Sequence, residues 1–157
     1  MAAPAATPSH SPMQPASEPD LRPRLILFHK QATSARLRFL CLPSGVLVFD
    51  PLPQPQTLRE NAHTAHSVRP MPSAWSAEAV RRLGLAPTAL EAEHDFYEEL
   101  IHEGRVTPVL LAGFTAIDPP FEIARLLHGR FIDLLESQDR PPLERELLRR
   151  AYECVMG

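Results

Sequence analysis

The sequence predicts an α+β domain in which an N-terminal three-stranded antiparallel meander is followed by four to five packed helices. Three observations predict this class. Short apolar runs bounded by turn residues occupy positions 24–50, prolines interrupt the chain over 50–73, and from residue 73 onward the apolar positions follow helical spacing. The length of 157 residues and the apolar fraction of 44% are typical of one globular domain with a real core.

Two segments carry the predicted strands, and a polar tail precedes them. The run "RLILFHK" from Arg24 has strand length, and "RLRFLCL" alternates apolar and basic residues. The turn "PSG" then leads into "VLVFD", so the second and third runs predict a hairpin. Residues 1–23 hold six prolines and almost no large aliphatic side chains. We therefore expect a disordered tail at 1–23 and a single domain at 24–157.

Capping signals predict the first two helices. Ser76 is a good N-cap, and Gly84 is a good C-terminal stop for a short helix between them. Thr88 with Glu91 three residues later forms a capping box, and Gly104 would end the helix that it opens. The sequence therefore predicts a short helix before Gly84 and a second helix over 88–104.

The C-terminal third predicts further helices. Residues 108–117 are apolar all round and fit either a buried helix or a central strand; Pro108 at a first helical position favours the helix. The apolar spacing of 119–138 continues through Gly129 and predicts one helix there. Residues 141–156 predict an amphipathic helix, whose polar face carries the i,i+4 pairs Glu146/Arg150 and Arg149/Glu153.

Net charge and cysteine content limit the classes of partner and the cellular compartment that the sequence predicts. The formal net charge of −3 argues against nucleic acid and anionic membranes as partners. Cys41 and Cys154 each lie in an apolar pattern, as expected for buried thiols in a reducing compartment. Without a secretory pattern or an apolar run of about 18 residues, the sequence predicts a cytoplasmic location. Lys30 is the only lysine among abundant Arg, Ala and Pro, which is typical of a GC-rich bacterial genome.

The stretch 77–93 resembles a helix-turn-helix, with Gly84 in the turn. It departs from that motif at Val80, where a small residue is expected, and at Glu93, where an apolar one is expected. The would-be recognition helix carries six acidic residues and no basic one, so it would repel phosphates. This argues against DNA binding.

Histidine spacing raises the possibility of a metal site. The stretch "EAEHDFYEELIHEG" contains Glu-x-x-His twice, ending at His94 and at His102. Eight residues of helix rise about 12 Å, so one ion could not reach both histidines. Further ligands could come from His63 and His66, spaced His-x-x-His in the proline-rich 50–73 segment. A metal-binding protein or metal-dependent enzyme that uses these four histidines is therefore the alternative function.

The leading function is a protein-binding one. The predicted 88–104 helix would place its acidic side chains on a solvent face that could dock against a basic patch of a partner. No Gly-rich phosphate loop and no G-x-S-x-G motif is present, so the sequence predicts no catalytic residue and no cofactor. We expect a small cytoplasmic bacterial accessory protein that binds a protein partner through these residues: Glu91, Asp95, Glu98, Glu99 and Trp75.

Overall fold

The computed structural model describes residues 22–62 and 69–157. In these ranges a mixed sheet of eight strands is accompanied by three α-helices and a short 3-10 helix. The strands are β1 Arg24–Lys30, β2 Leu37–Cys41, β3 Leu47–Val48, β4 Thr57–Leu58, β5 Leu90–Ala92, β6 Glu98–His102, β7 Arg105–Phe114 and β8 Arg130–Ile132. The helices are α1 Pro72–Leu83, α2 Phe121–Leu126 and α3 Pro142–Met156, with the 3-10 helix at Glu136–Asp139.

The sheet has its longest strands at its centre. The strand order is β4-β6-β7-β1-β2-β8, with β3 also pairing with β1 and β5 with β7. β1 and β7 run parallel, with Ile26 opposite Leu111, and the other pairs are antiparallel. Both central strands are buried over most of their length. That burial explains why "RLILF" and "VLLAGF" read as continuous apolar runs rather than as alternating ones.

Alternate residues of the sheet build two cores on its opposite faces. On β1, Ile26 and Phe28 belong to the core that α3 covers through Leu147, Leu148 and Ala151. Leu25 and Leu27 belong to the other core, which α1 and α2 cover through Ala79, Val80 and Ala124. The period-2 geometry of a strand separates these two sets. The sheet therefore lies between two helical layers.

The predicted fold class is wrong in two respects. The first three strands exist, but β3 pairs with β1 and not with β2, so they do not form a meander. The rest of the chain adds five more strands rather than four to five helices. Residues 88–104 form β5, a turn and β6, and residues 108–114 belong to β7.

The predicted helix over 119–138 is also wrong, because α2 ends at Leu126 and the chain then turns at Gly129 into β8. A Cβ atom on Gly129 would lie 2.5 Å from the backbone oxygen of Cys41, so β8 can approach β2 only without a side chain there. His128 adopts a left-handed φ of 59°, which turns the chain from α2 into β8. Pro108 is accommodated in β7 because the pairing with β1 starts one residue later, at Val109.

Other local predictions are confirmed. α1 ends at Gly84, which has a left-handed φ of 68°, although the helix begins at Pro72 and Ser76 lies inside it. α3 spans the predicted range and forms both predicted i,i+4 ion pairs. None of the helices in the two described ranges combines the length and the apolar character that a membrane span needs. The 1–23 tail lies outside the described residues, except for its last two.

Candidate functional site

Two of the acidic residues that we expected on a solvent face, Glu98 and Glu99, are instead buried on opposite faces of the sheet. Glu98 and Glu99 are neighbours on β6, so their side chains point to opposite faces of the sheet. Glu98 is 7% exposed and accepts a hydrogen bond from Nη1 of Arg150 at 2.9 Å. Glu99 is 3% exposed and accepts one from Nη1 of Arg59 at 2.8 Å. Both carboxylates are therefore committed to ion pairs inside the molecule.

A tyrosine completes the cluster on the Glu99 side. The hydroxyl of Tyr97 donates a short hydrogen bond to Oε2 of Glu99. Burial raises the pKa of Tyr97, and the hydrogen bond to the Glu99 carboxylate raises that pKa further. The Arg69 guanidinium lies 4.3 Å from the Tyr97 ring centroid. The phenol is thus held protonated as a hydrogen-bond donor, which is a structural role.

A wide cleft of about 670 Å³ lies beside this cluster, between the β5–β6 turn and α3. Its volume is in the range of small-molecule sites, but its central charges are already paired. Arg149 bridges Glu146 and Glu153, and Arg150 bridges Glu146 and Glu98. The lining residues are Glu60, Asn61, Asp95, Phe96, Tyr97, Glu98, Arg149, Arg150, Glu153 and Cys154.

The one thiol in this cleft is not activated for nucleophilic chemistry. Burial raises the pKa of Cys154, and the carboxylates of Glu93 and Asp95 raise it further. A catalytic cysteine requires the opposite, a pKa lowered by a cation or a helix N-terminus. The cleft therefore holds a protonated thiol beside acids.

The other predicted partner-binding residues lie apart from one another. Glu91 is exposed on β5, where it lies opposite Gly113 of β7, and Asp95 is exposed in the turn before β6. Trp75 is half-buried in α1 and packs against the core that α1 covers. The five predicted residues therefore do not form one continuous surface.

Two of the four predicted metal ligands, His94 and His102, lie within the described residues. His94 is exposed in the turn before β6, whereas Nδ1 of His102 lies 2.6 Å from the carbonyl oxygen of Pro55. His63 and His66 lie outside the described residues. Within 22–62 and 69–157, no three His, Cys, Asp or Glu side chains come together in a way that could hold a metal ion. The metal site that would use His63, His66, His94 and His102 stays a prediction.

A different surface, around α2, exposes large apolar side chains. Ile117 is 86% exposed, Leu126 is 78% exposed and Phe121 is 55% exposed. All three lie within ten residues, on α2 and the loop that precedes it; we call them the α2 surface. Isolated exposed apolar residues are ordinary, but large ones close together often mark an interaction site.

Packing explains why α2 leaves this face open. At about 100° per residue, Ile123, Ala124 and Leu127 form one side of the helix, which packs on the sheet. Phe121 and Leu126 fall outside that side, on its two flanks, about 140° apart around the helix. The Phe121 ring meets Phe131 of β8 edge-on, at 5.9 Å between centroids, which fixes its orientation.

The sequence held one signal of this surface. The run "FEIARLL" from Phe121 has more large apolar residues than a helix of two turns can bury on one side. A longer helix would spread those residues over a larger core, so the predicted helix over 119–138 shows no such excess.

No known family model matches the chain, and a search of curated proteins gives no match either.

Proposed function

We propose that this chain is a small accessory protein that binds another protein through the α2 surface and performs no chemistry of its own. The observation that supports the proposal is the exposure of Ile117, Phe121 and Leu126 on a short, fixed helix. Water contact with apolar surface costs about 25 cal/mol per Å² relative to burial. A partner that covers these three side chains would recover that free energy.

Two features of the molecule favour a role of the α2 surface in binding a partner over a role in the packing of the protein itself. Both faces of the central sheet are already covered by other side chains, and Ile117 and Leu126 remain exposed outside both cores. The orientation of the α2 surface is fixed by ring packing between Phe121 and Phe131, which lowers the entropy lost on binding.

A cytoplasmic, bacterial setting is part of the proposal; it agrees with two cysteine thiols that stay unpaired.

Site-specific photo-cross-linking in the cells that naturally make the protein tests the proposal. With benzoylphenylalanine in place of Phe121, we expect ultraviolet light to trap one partner of defined mass. The same probe in place of Arg105, at the far end of β7, is the control and should trap nothing comparable. Equal yields at both positions would contradict the proposal.

Apolar-to-polar variants, made with the probe still at position 121, sharpen the test. We expect Leu126→Ser or Ile117→Ser to lower the yield about tenfold, since losing one well-packed interface side chain costs 1–2 kcal/mol. Met71→Ser is the matched control, because Met71 is 66% exposed but lies outside the α2 surface. A yield that falls as far with Met71→Ser would point to another contact surface.

A further inference from the structure

We infer that the partner's contacting segment is acidic as well as apolar. This inference rests on the proposed function and concerns the same surface. Two arginines flank Phe121. Arg125 follows it by four residues on α2, so the two side chains lie about 40° apart around the helix. The Arg38 guanidinium carbon of β2 lies 6.0 Å from the Phe121 ring centroid.

Neither of these two arginines has a carboxylate partner among the described residues. Nη1 of Arg38 donates to the amide oxygen of Gln31 at 3.2 Å, and Arg125 forms no ion pair with any residue of 22–62 or 69–157. Two other arginines, Arg59 and Arg150, pair with the buried carboxylates of Glu99 and Glu98. A carboxylate supplied from outside would complete the same kind of pair beside Phe121.

The position of Glu122, the one acidic residue of α2, predicts how the partner is oriented on this surface. Glu122 lies about 100° from Phe121 and shares the Leu126 side of the helix, because it precedes Leu126 by four residues. It forms no ion pair within the described residues. The side near Phe121 is therefore basic and the side near Leu126 is acidic. We expect the partner's carboxylates over Arg38 and Arg125, with an apolar side chain against Phe121.

The small size of the α2 surface favours a short segment as its occupant. Three exposed side chains offer far less than the roughly 800 Å² that each partner buries in a standard interface. A second copy of the chain would need more area than this to form a stable dimer. A short amphipathic segment, which buries a few apolar side chains and adds carboxylates at the rim, fits the available area.

Two labelled peptides of matched composition test the charge preference. The first has twelve residues, with three leucines, four glutamates and the rest serine; the second has lysine in place of each glutamate. By fluorescence anisotropy at low salt, we expect the glutamate peptide to bind and the lysine peptide to bind far more weakly. Added salt should weaken binding of the glutamate peptide, because exposed charges are screened.

Two charge-reversal variants of the protein, one beside Phe121 and one far from it, provide a matched comparison. We expect Arg125→Glu to weaken binding of the glutamate peptide about fivefold or more, since it replaces an attraction with a repulsion. Arg105→Glu makes the same change of net charge at the start of β7, roughly 30 Å from Phe114. It should leave binding unchanged. Circular dichroism of both variants confirms that they are folded.

Three results of the peptide measurements would overturn the inference. They are no measurable binding of the glutamate peptide, equal binding of the two peptides, and equal losses for Arg125→Glu and Arg105→Glu. If cross-linking from position 121 still traps a partner, the proposed function stands and only the acidic character of the partner fails. Self-association that Phe121→Ser abolishes would make a second copy the occupant and would also overturn the inference.

Discussion

At the scale of single residues, neighbouring carboxylates on one strand serve opposite cores. The side chain of Glu99 is 4% exposed, and its two oxygens accept from Arg59 and Tyr97. A buried carboxylate of this kind is tolerated only because its charge and its hydrogen bonds are satisfied. Its conversion to an amide removes the charge while keeping the size.

Glu99→Gln should therefore destabilise the protein by roughly 1–3 kcal/mol, because Arg59 loses its charged partner. Chemical denaturation followed by circular dichroism measures the change. Glu91→Gln is the matched control: Glu91 is exposed and forms no ion pair within the described residues. We expect a change near zero for it. Similar small changes for both variants would show that the Glu99 cluster adds nothing to stability.

At the scale of elements, α3 owes part of its stability to charges along one side. Glu146 accepts hydrogen bonds from Nη2 of Arg149 at 2.6 Å and from Nε of Arg150 at 2.8 Å. Arg149 first, and then Arg150, lower the pKa of Glu146 from 4.5 to about 2. Because the folded-state pKa is lowered, the ionised form stabilises the folded protein.

This contribution of Glu146 should be present above about pH 4.5 and lost as the pH falls through about 2. We expect Glu146→Gln to be less stable than the natural protein at neutral pH, with a difference that shrinks as the pH approaches 2. Urea midpoints measured across this range test it. Glu122→Gln removes an exposed acid that has no ion pair in the described part of the chain, so it should not change the pH dependence. A difference between Glu146→Gln and the natural protein that stays constant with pH would contradict the assignment.

At the scale of the whole molecule, the two cores share one sheet, so they should unfold together. Trp75, the only tryptophan, reports on the α1 side, whereas Leu147 is fully buried on the α3 side. Small single domains usually unfold in one cooperative step. A substitution that destabilises one core should therefore also lower the denaturation midpoint that a probe in the other core reports.

Leu147→Ala should lower the unfolding free energy by about 2–5 kcal/mol, because it leaves a cavity in a packed core. We expect the denaturation midpoint from Trp75 fluorescence to fall as far as the midpoint from far-ultraviolet circular dichroism. Leu135→Ala, at a side chain that is 78% exposed, is the control and should move neither. A Trp75 transition that stayed in place would mean that the two helical layers unfold independently.

Local sequence signals correctly predicted those elements of the fold that are determined by residues close together in the chain. β1 and β2, the stop of α1 at Gly84 and the whole of α3 followed from apolar spacing, a left-handed glycine and i,i+4 charge pairs. The same signals failed over 88–138. There the capping box at Thr88 and the apolar spacing through Gly129 both predicted helices, and strand pairing overrode them.

The sequence by itself determined the apolar runs that form the central strands, the amphipathic C-terminal helix and the negative net charge of the chain. Only the tertiary structure decided the role of the acids and the place of the exposed surface. Glu98 and Glu99 find their arginines 52 and 40 residues away, and no local pattern encodes such partners. Phe121 and Leu126 stay exposed because the sheet covers only one side of α2, which depends on how distant strands pair.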